Sequence, residues 1–230
     1  MTIIFDYDGT LHNTARLYYS AIRGVCDKLA EDGFAEKKEL SERQISRYLG
    51  MTPMQMWDDF MPDLPDEVKE RASRMAGELM ERNIYHDAQL YDGATELLEQ
   101  LKANGCRLII LSNSYSSYID AHRERFGLDR FFDDYFTAEE YGFTPKYKIV
   151  PIIMGKYPDR EYALVGDRSS DLEAAKKNGL PFAACLYGFG SELELSGSDA
   201  EVDLKSGAAC ENIIRAARMF SALSSEVDHG

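Results

Sequence analysis

The sequence predicts an α/β protein: a parallel sheet covered on both faces by helices, with an all-helical segment inserted near its start. Three observations carry this reading. A short apolar strand, Ile3 to Phe5, runs straight into a glycine turn. From Arg16 to Ala88, apolar residues recur at helical spacing with no convincing strand. Beyond Tyr91, strand-like and helix-like segments alternate, which is the rhythm of parallel strands joined by helical crossovers.

Taken in order, Tyr18, Ile22, Val25 and Leu29 mark the first helix after the opening strand. Ser41 can cap a second, running through Ile45, Tyr48 and Leu49 and stopping at Gly50. Thr52 with Pro53 starts a short helix holding Met56, Trp57 and Phe60, and Val68, Ala72, Met75, Leu79 and Met80 mark a longer one. Asp92 is expected to cap a helix with Leu97, Leu98 and Leu101 that ends at Gly105, after which Arg107 to Leu111 reads as the second strand. The alternation continues with a helix at Ser117 to Phe126, a strand near Tyr135, a helix from about Tyr147 to Lys156 and a strand at Tyr162 to Val165. A helix from about Asp171 to Asn178 and a strand at Phe182 to Leu186 follow. Ile213, Ile214 and Ala217 indicate a last packing helix, and Ser224 to Gly230 a frayed tail. The expected architecture is a Rossmann-like parallel sheet of order 3-2-1-4-5. Residues 1–14 and 89–230 would form the core domain, and residues 15–88 a helical cap domain over the carboxyl edge of the sheet.

Composition narrows the function. The chain has 230 residues, 44% of them hydrophobic, enough for a proper core. With 26 basic against 40 acidic residues the net charge is −14, and no basic stripe is present, so a general nucleic-acid binder is excluded. Any anionic substrate then requires a locally positive site, supplied by a metal ion and a few placed Lys or Arg residues. Cys26, Cys106, Cys185 and Cys210 lack metal-ligand spacing and read as reduced, mostly buried thiols. No segment approaches a membrane span, so the default expectation is a cytoplasmic protein, monomer or homodimer.

The chemistry concentrates at strand ends. Asp6 and Asp8 in IIFDYDGTLHNT stand two residues apart where the first strand meets Gly9 and Thr10. Two neighbouring carboxylates at low dielectric call for a divalent cation or one raised pKa, which also separates a nucleophile from a proton donor. LIILSNS ends in Ser112, FTPKYKIV supplies Lys146 before a helix, and YALVGDRSSDLEAAKKNG delivers Asp167 and Asp171.

In order and approximate spacing, these segments resemble the four motifs of the haloacid dehalogenase-like hydrolase superfamily, most closely its phosphoglycolate phosphatase-like branch with a type 1 helical cap. The resemblance implies a phosphatase acting on a small phosphorylated metabolite. Asp6 would attack phosphorus, and Asp8, with a raised pKa, would protonate the leaving oxygen and later activate water. Mg²⁺ would be held by Asp6, the Asp8 carbonyl and Asp167, with Asp171 supporting the metal waters or Lys146. Ser112, the main-chain amide of Asn113 and Lys146 would hold the phosphoryl oxygens, while Gly9 and Thr10 shape the loop.

Several assignments stay open at this level. Lys146 suits the spacing to Asp167, with Lys148 as the alternative. Arg168 reads as a substrate contact or a surface ion pair. Arg23, Arg47 and Trp57 of the insert are candidate substrate contacts, although Met54, Met56, Trp57 and Phe60 fit helix packing better than a ligand box. Rival functions are a phosphomutase with the same core, a receiver-like phospho-aspartate domain and a non-catalytic binding module.

Overall fold

The computed structural model describes residues 1–37 and 39–227. Its centre is β1 (Thr2–Phe5), whose Ile3, Ile4 and Phe5 are wholly buried because the strand is covered on both faces. Five further strands flank it: β2 (Arg107–Ser112), β3 (Asp134–Thr137), β4 (Tyr162–Gly166), β5 (Phe182–Ala184) and β6 (Ala200–Glu201). The sheet is parallel throughout and has the order β3-β2-β1-β4-β5-β6. The expected order 3-2-1-4-5 is found, extended by β6. That strand has only two residues, too few for any periodicity to register in the sequence.

Between β1 and the second strand lie α1 (Ala15–Glu31), α2 (Glu42–Ser46), α3 (Pro53–Phe60), α4 (Asp66–Asp87) and α5 (Ala94–Ala103). The first four enclose an apolar core of their own, with Ile22, Val25, Trp57, Val68 and Ala72 at its centre. Ser41 and Thr52 cap α2 and α3 through reciprocal bonds with Gln44 and Gln55, so local hydrogen bonding fixes both starts. The start of α5 differs from the expectation. Gly93, in the left-handed region at φ 89°, occupies the cap position in place of Asp92. A Cβ there would approach the Leu204 carbonyl oxygen to 2.6 Å, so backbone packing selects glycine.

The remaining helices are α6 (Ser116–Phe126), α7 (Lys146–Lys156), α8 (Ser169–Lys177) and α9 (Ala209–Val227). Helix α7 contains Pro151, which cannot donate to the carbonyl of Tyr147 one turn earlier. The Asn178 side-chain amide donates to that carbonyl at 2.9 Å and restores the bond. Helix α9 continues through Val227, so the tail expected from Ser224 is helical that far, and residues 228–230 lie outside the described residues. No helix among the described residues is long and apolar enough to cross a membrane.

Candidate active site

Register decides which acids meet. Phe5 stands level with Ile110 of β2 and Val165 of β4, so the chain beyond each strand opens at one edge, and Asp6, Ser112 and Asp167 gather there. Lys146, at the first position of α7, donates to Asp6 Oδ1 at 2.7 Å and to Asp171 Oδ1 at 2.6 Å. Asp6, Lys146, Asp167 and Asp171 are all at least 96% buried. Lys148, by contrast, is exposed beside the Tyr147 ring, so the third-motif lysine at this site is Lys146.

The charges do not balance. Carboxylate oxygens of Asp6, Asp167 and Asp171 lie within 4.8 Å of one another, with one ammonium among them. Burial, reinforced by Asp171, pushes the Asp6 carboxyl well above the usual range even though Lys146 opposes the shift. Burial and Asp171 likewise raise Asp167 to about 7. Lys146 is shifted upward as well, because Asp171 and Asp6 outweigh its burial. Three acids and one lysine leave two uncompensated negative charges when all are ionised, the deficit that a divalent cation with hard oxygen ligands removes. The hard carboxylate oxygens of Asp6 and Asp167 fit Mg²⁺, while Asp171 is occupied by Lys146 and the Arg168 N–H.

The Asp167 carboxylate is aimed by its neighbours. Thr10 Oγ1 donates to its Oδ1 at 3.1 Å and the Phe189 N–H to its Oδ2 at 2.7 Å. Gly9 sits at φ 85°, and a Cβ there would fall 2.2 Å from Asp167 Oδ2. The Gly-Thr pair after the aspartates therefore serves the distant Asp167 directly. The loop after β5, where Gly188 and Gly190 also press on Asp167, escaped the sequence reading, although the small residues of GFG were its visible trace.

Asp8 departs from expectation. Its Oδ1 accepts hydrogen bonds from Thr14 Oγ1, from the Tyr118 hydroxyl at 2.8 Å and from His12 Nδ1 at 3.1 Å. Burial alone would raise its pKa, but the bonds to His12 and Thr14 and the field of His12 and His122 prevail and hold it below the usual carboxylate value. The raised pKa expected from two repelling acids is thus absent, because Asp8 points into a nest of donors of its own. Burial and the charge of Asp8 push the Tyr118 phenol well above its ordinary range, so it stays a donor. His12, Thr14 and Tyr118 were missed in the sequence. The first two follow Asp8 at short spacing, whereas nothing local marks Tyr118, which arrives from α6.

Ser112 is buried, its hydroxyl at 2.9 Å from that of Ser114 and accepting the Ser114 N–H. Asn113 gives its side-chain amide to the Gly50 carbonyl at 2.7 Å, tying the sheet edge to the helical segment. Asp6, Asp8, Ser112 and Asn113 face a cavity of about 100 Å³ whose other walls include Tyr18, Met56 and Trp57. Of the insert's candidate contacts, Trp57 reaches it. Arg23 lies in an outer groove beside Tyr19, and Arg47 stacks on Tyr48 and faces Asp59 outside. Arg168 pairs with Glu194 and lines a neighbouring cleft.

The fold and site define an α/β protein with a buried acid and lysine cluster at the carboxyl edge of its sheet, and comparison with known proteins identifies the family. The sequence model of the haloacid dehalogenase-like hydrolases matches residues 3–185, and the chain belongs to that family. A phosphoglycolate phosphatase from Synechococcus elongatus is 28% identical over 203 residues, spanning 84% of this chain and 87% of the relative. A 5'-nucleotidase from Pseudomonas aeruginosa is 26% identical over 200 residues, spanning 84% and 86%. Among solved structures, CbbY from Rhodobacter sphaeroides in complex with phosphate has a TM-score of 0.78 at 17% identity, covering 92% of this chain and 98% of that one. A hydrolase from Pseudomonas syringae has a TM-score of 0.71 at 23% identity, covering 88% and 93%. At these identities the two structures speak for the shared fold.

Proposed function

We propose that the protein is a Mg²⁺-dependent phosphatase that hydrolyses a small phosphorylated metabolite through an aspartyl phosphate on Asp6, beneath helices α1 to α4 acting as a cap. The observation that carries this reading is the buried group of Asp6, Lys146, Asp167 and Asp171, which lacks two positive charges, with Asp8 facing the same cavity. The Asp6 and Asp167 carboxylates and the Asp8 carbonyl would hold Mg²⁺, which would supply positive charge toward the phosphoryl oxygens. Lys146 keeps the Asp6 carboxylate oriented and adds positive charge where the phosphoryl group arrives. Asp6 attacks phosphorus in line, forming its P–O bond as the bond to the departing alcohol breaks. Asp8 supplies the proton to that oxygen. In the second step Asp8 takes a proton from water, whose oxygen displaces Asp6 and releases inorganic phosphate. The donors around Asp8 suit this base form, and an incoming phosphate dianion raises its proton affinity for the first step.

Purified protein with Mg²⁺ is expected to cleave p-nitrophenyl phosphate, and to lose that activity in EDTA. Asp6→Asn should lower turnover by about 10⁴-fold or more, since the covalent route is removed. Absence of turnover across a broad panel of phosphate esters, including phosphoglycolate, sugar phosphates and nucleotides, would overturn the reading.

A further inference from the structure

The cavity is polar at its floor and apolar above it. Ile22 and Tyr18 of α1, Met56 and Trp57 of α3, and Ala76 and Met80 of α4 form much of the roof. Among the described residues lining the cavity, the ionisable acids and bases besides the phenols are Asp6 and Asp8, both acidic and both on the floor. Cations of the helical segment are engaged elsewhere: Lys69 with Asp58, Arg71 with Asp32, and Arg47 with Asp59 and Tyr48. The neighbouring cation of the core, Arg168, lies beside Gly50 and gives its Nε to Glu194 in the adjoining cleft, while its Nη1 is buried without a hydrogen-bond partner among the described residues and does not line the cavity.

These walls treat two kinds of substrate differently. The phosphoryl end of any ester meets Lys146 and the metal-binding acids. A second anionic group on the alcohol portion, whether carboxylate or phosphate, would be stripped of water among Met56, Trp57 and Met80 with no cation among the lining residues to pair it, and with two aspartates beneath. An uncharged apolar portion gains instead from covering these side chains. Resting on the phosphatase reading above, we infer that the substrate is a phosphate monoester whose alcohol portion is uncharged and largely apolar, and that carboxylated esters such as phosphoglycolate are disfavoured. The neutral phenols of the walls offer hydrogen bonds to hydroxyl or ether oxygens without asking for charge.

Two matched pairs test this with the full chain and Mg²⁺: propyl phosphate against phosphoglycolate, and phenyl phosphate against 4-carboxyphenyl phosphate. The expected kcat/KM favours the uncharged member of each pair by about thirtyfold or more, since an unpaired buried charge discriminates strongly. Met51, part-exposed at the cavity rim, provides the reversal. Met51→Arg should narrow the gap in both pairs by raising kcat/KM for the charged ester, with circular dichroism confirming the fold. Arg168→Ala should leave the gap as it is. The inference is overturned if turnover is present but the charged esters are used equally well or better, if a folded Met51→Arg leaves the gap unchanged, or if Arg168→Ala selectively removes turnover of the charged esters. If neither these esters nor p-nitrophenyl phosphate are hydrolysed, the phosphatase reading itself fails and the inference falls with it.

Discussion

The floor and the roof of the cavity are built from opposite materials. At and beneath the floor, Asp6, Lys146, Asp167 and Asp171 are at least 96% buried, each fixed by hydrogen bonds from different strands and loops. The roof holds Met56, Trp57 and Ala76, fixed by packing within the helical segment, and Met80, which packs into the core shared with the sheet. A charged floor has few solutions, because each carboxylate needs a stated partner at hydrogen-bond distance. An apolar roof has many, since volume-conserving exchanges are tolerated. The chemistry of the site is therefore tightly specified, and its choice of ester is open to change by substitution in the roof.

The largest test of this contrast is Lys146→Met. Removing the lysine leaves Asp6 and Asp171 buried without their cation, at an expected cost of about 3–5 kcal/mol. Denaturation without Mg²⁺ should reveal the loss and added Mg²⁺ should recover part of it. Met56→Ala in the roof should cost about 2 kcal/mol through lost packing, with the same penalty at every Mg²⁺ concentration. Equal metal dependence of the two variants would erase the distinction between floor and roof.

A smaller effect separates the two acids of the opening motif. Tyr118→Phe removes a donor to Asp8 while leaving the ring in place. With one donor fewer Asp8 holds its proton more readily, so alkyl phosphates, whose leaving oxygen needs a proton, should lose less kcat than p-nitrophenyl phosphate, which relies on Asp8 only as the base in the second step. A uniform loss across both would assign Tyr118 a packing role only.

A further effect concerns stability and pH. His122 is buried against Tyr7, His12 and Tyr118. Burial and then the field of His12 push its pKa from 6.5 down to about 3. Between those values the unfolded chain binds more protons, so this contribution is complete above pH 6.5 and is lost as the pH falls toward 3. The slope amounts to at most about 1.4 kcal/mol per pH unit. His122→Phe should flatten the fall in denaturant midpoint between pH 6 and pH 4, and an unchanged slope would place the acid sensitivity elsewhere.

Much of this site was legible because its residues sit at the ends of strands that announce themselves by apolar runs. Asp6, Ser112 and Asp167 all follow such runs, and parallel pairing brings their ends to one edge. What escaped was held by contacts distant in sequence. Tyr118 reaches Asp8 from 110 residues away, and the Phe189 N–H reaches Asp167 from a glycine loop. Neither has a periodicity or a spacing to betray it. The expected pKa of Asp8 went the wrong way for the same reason. Two adjacent carboxylates repel, but the sequence does not say that Thr14, His12 and Tyr118 surround one of them.

By itself the sequence determined the order of strands and helices, the buried strand under Asp6 and Asp8, and the caps at Ser41 and Thr52, since local hydrogen bonds and apolar patterning act over a few residues. Only the tertiary structure decided that Lys146 rather than Lys148 faces the acids, that Asp8 lies in a nest of donors, and that the roof's arginines turn outward. Those outcomes depend on which side chains meet across the fold, and burial then fixes their charge.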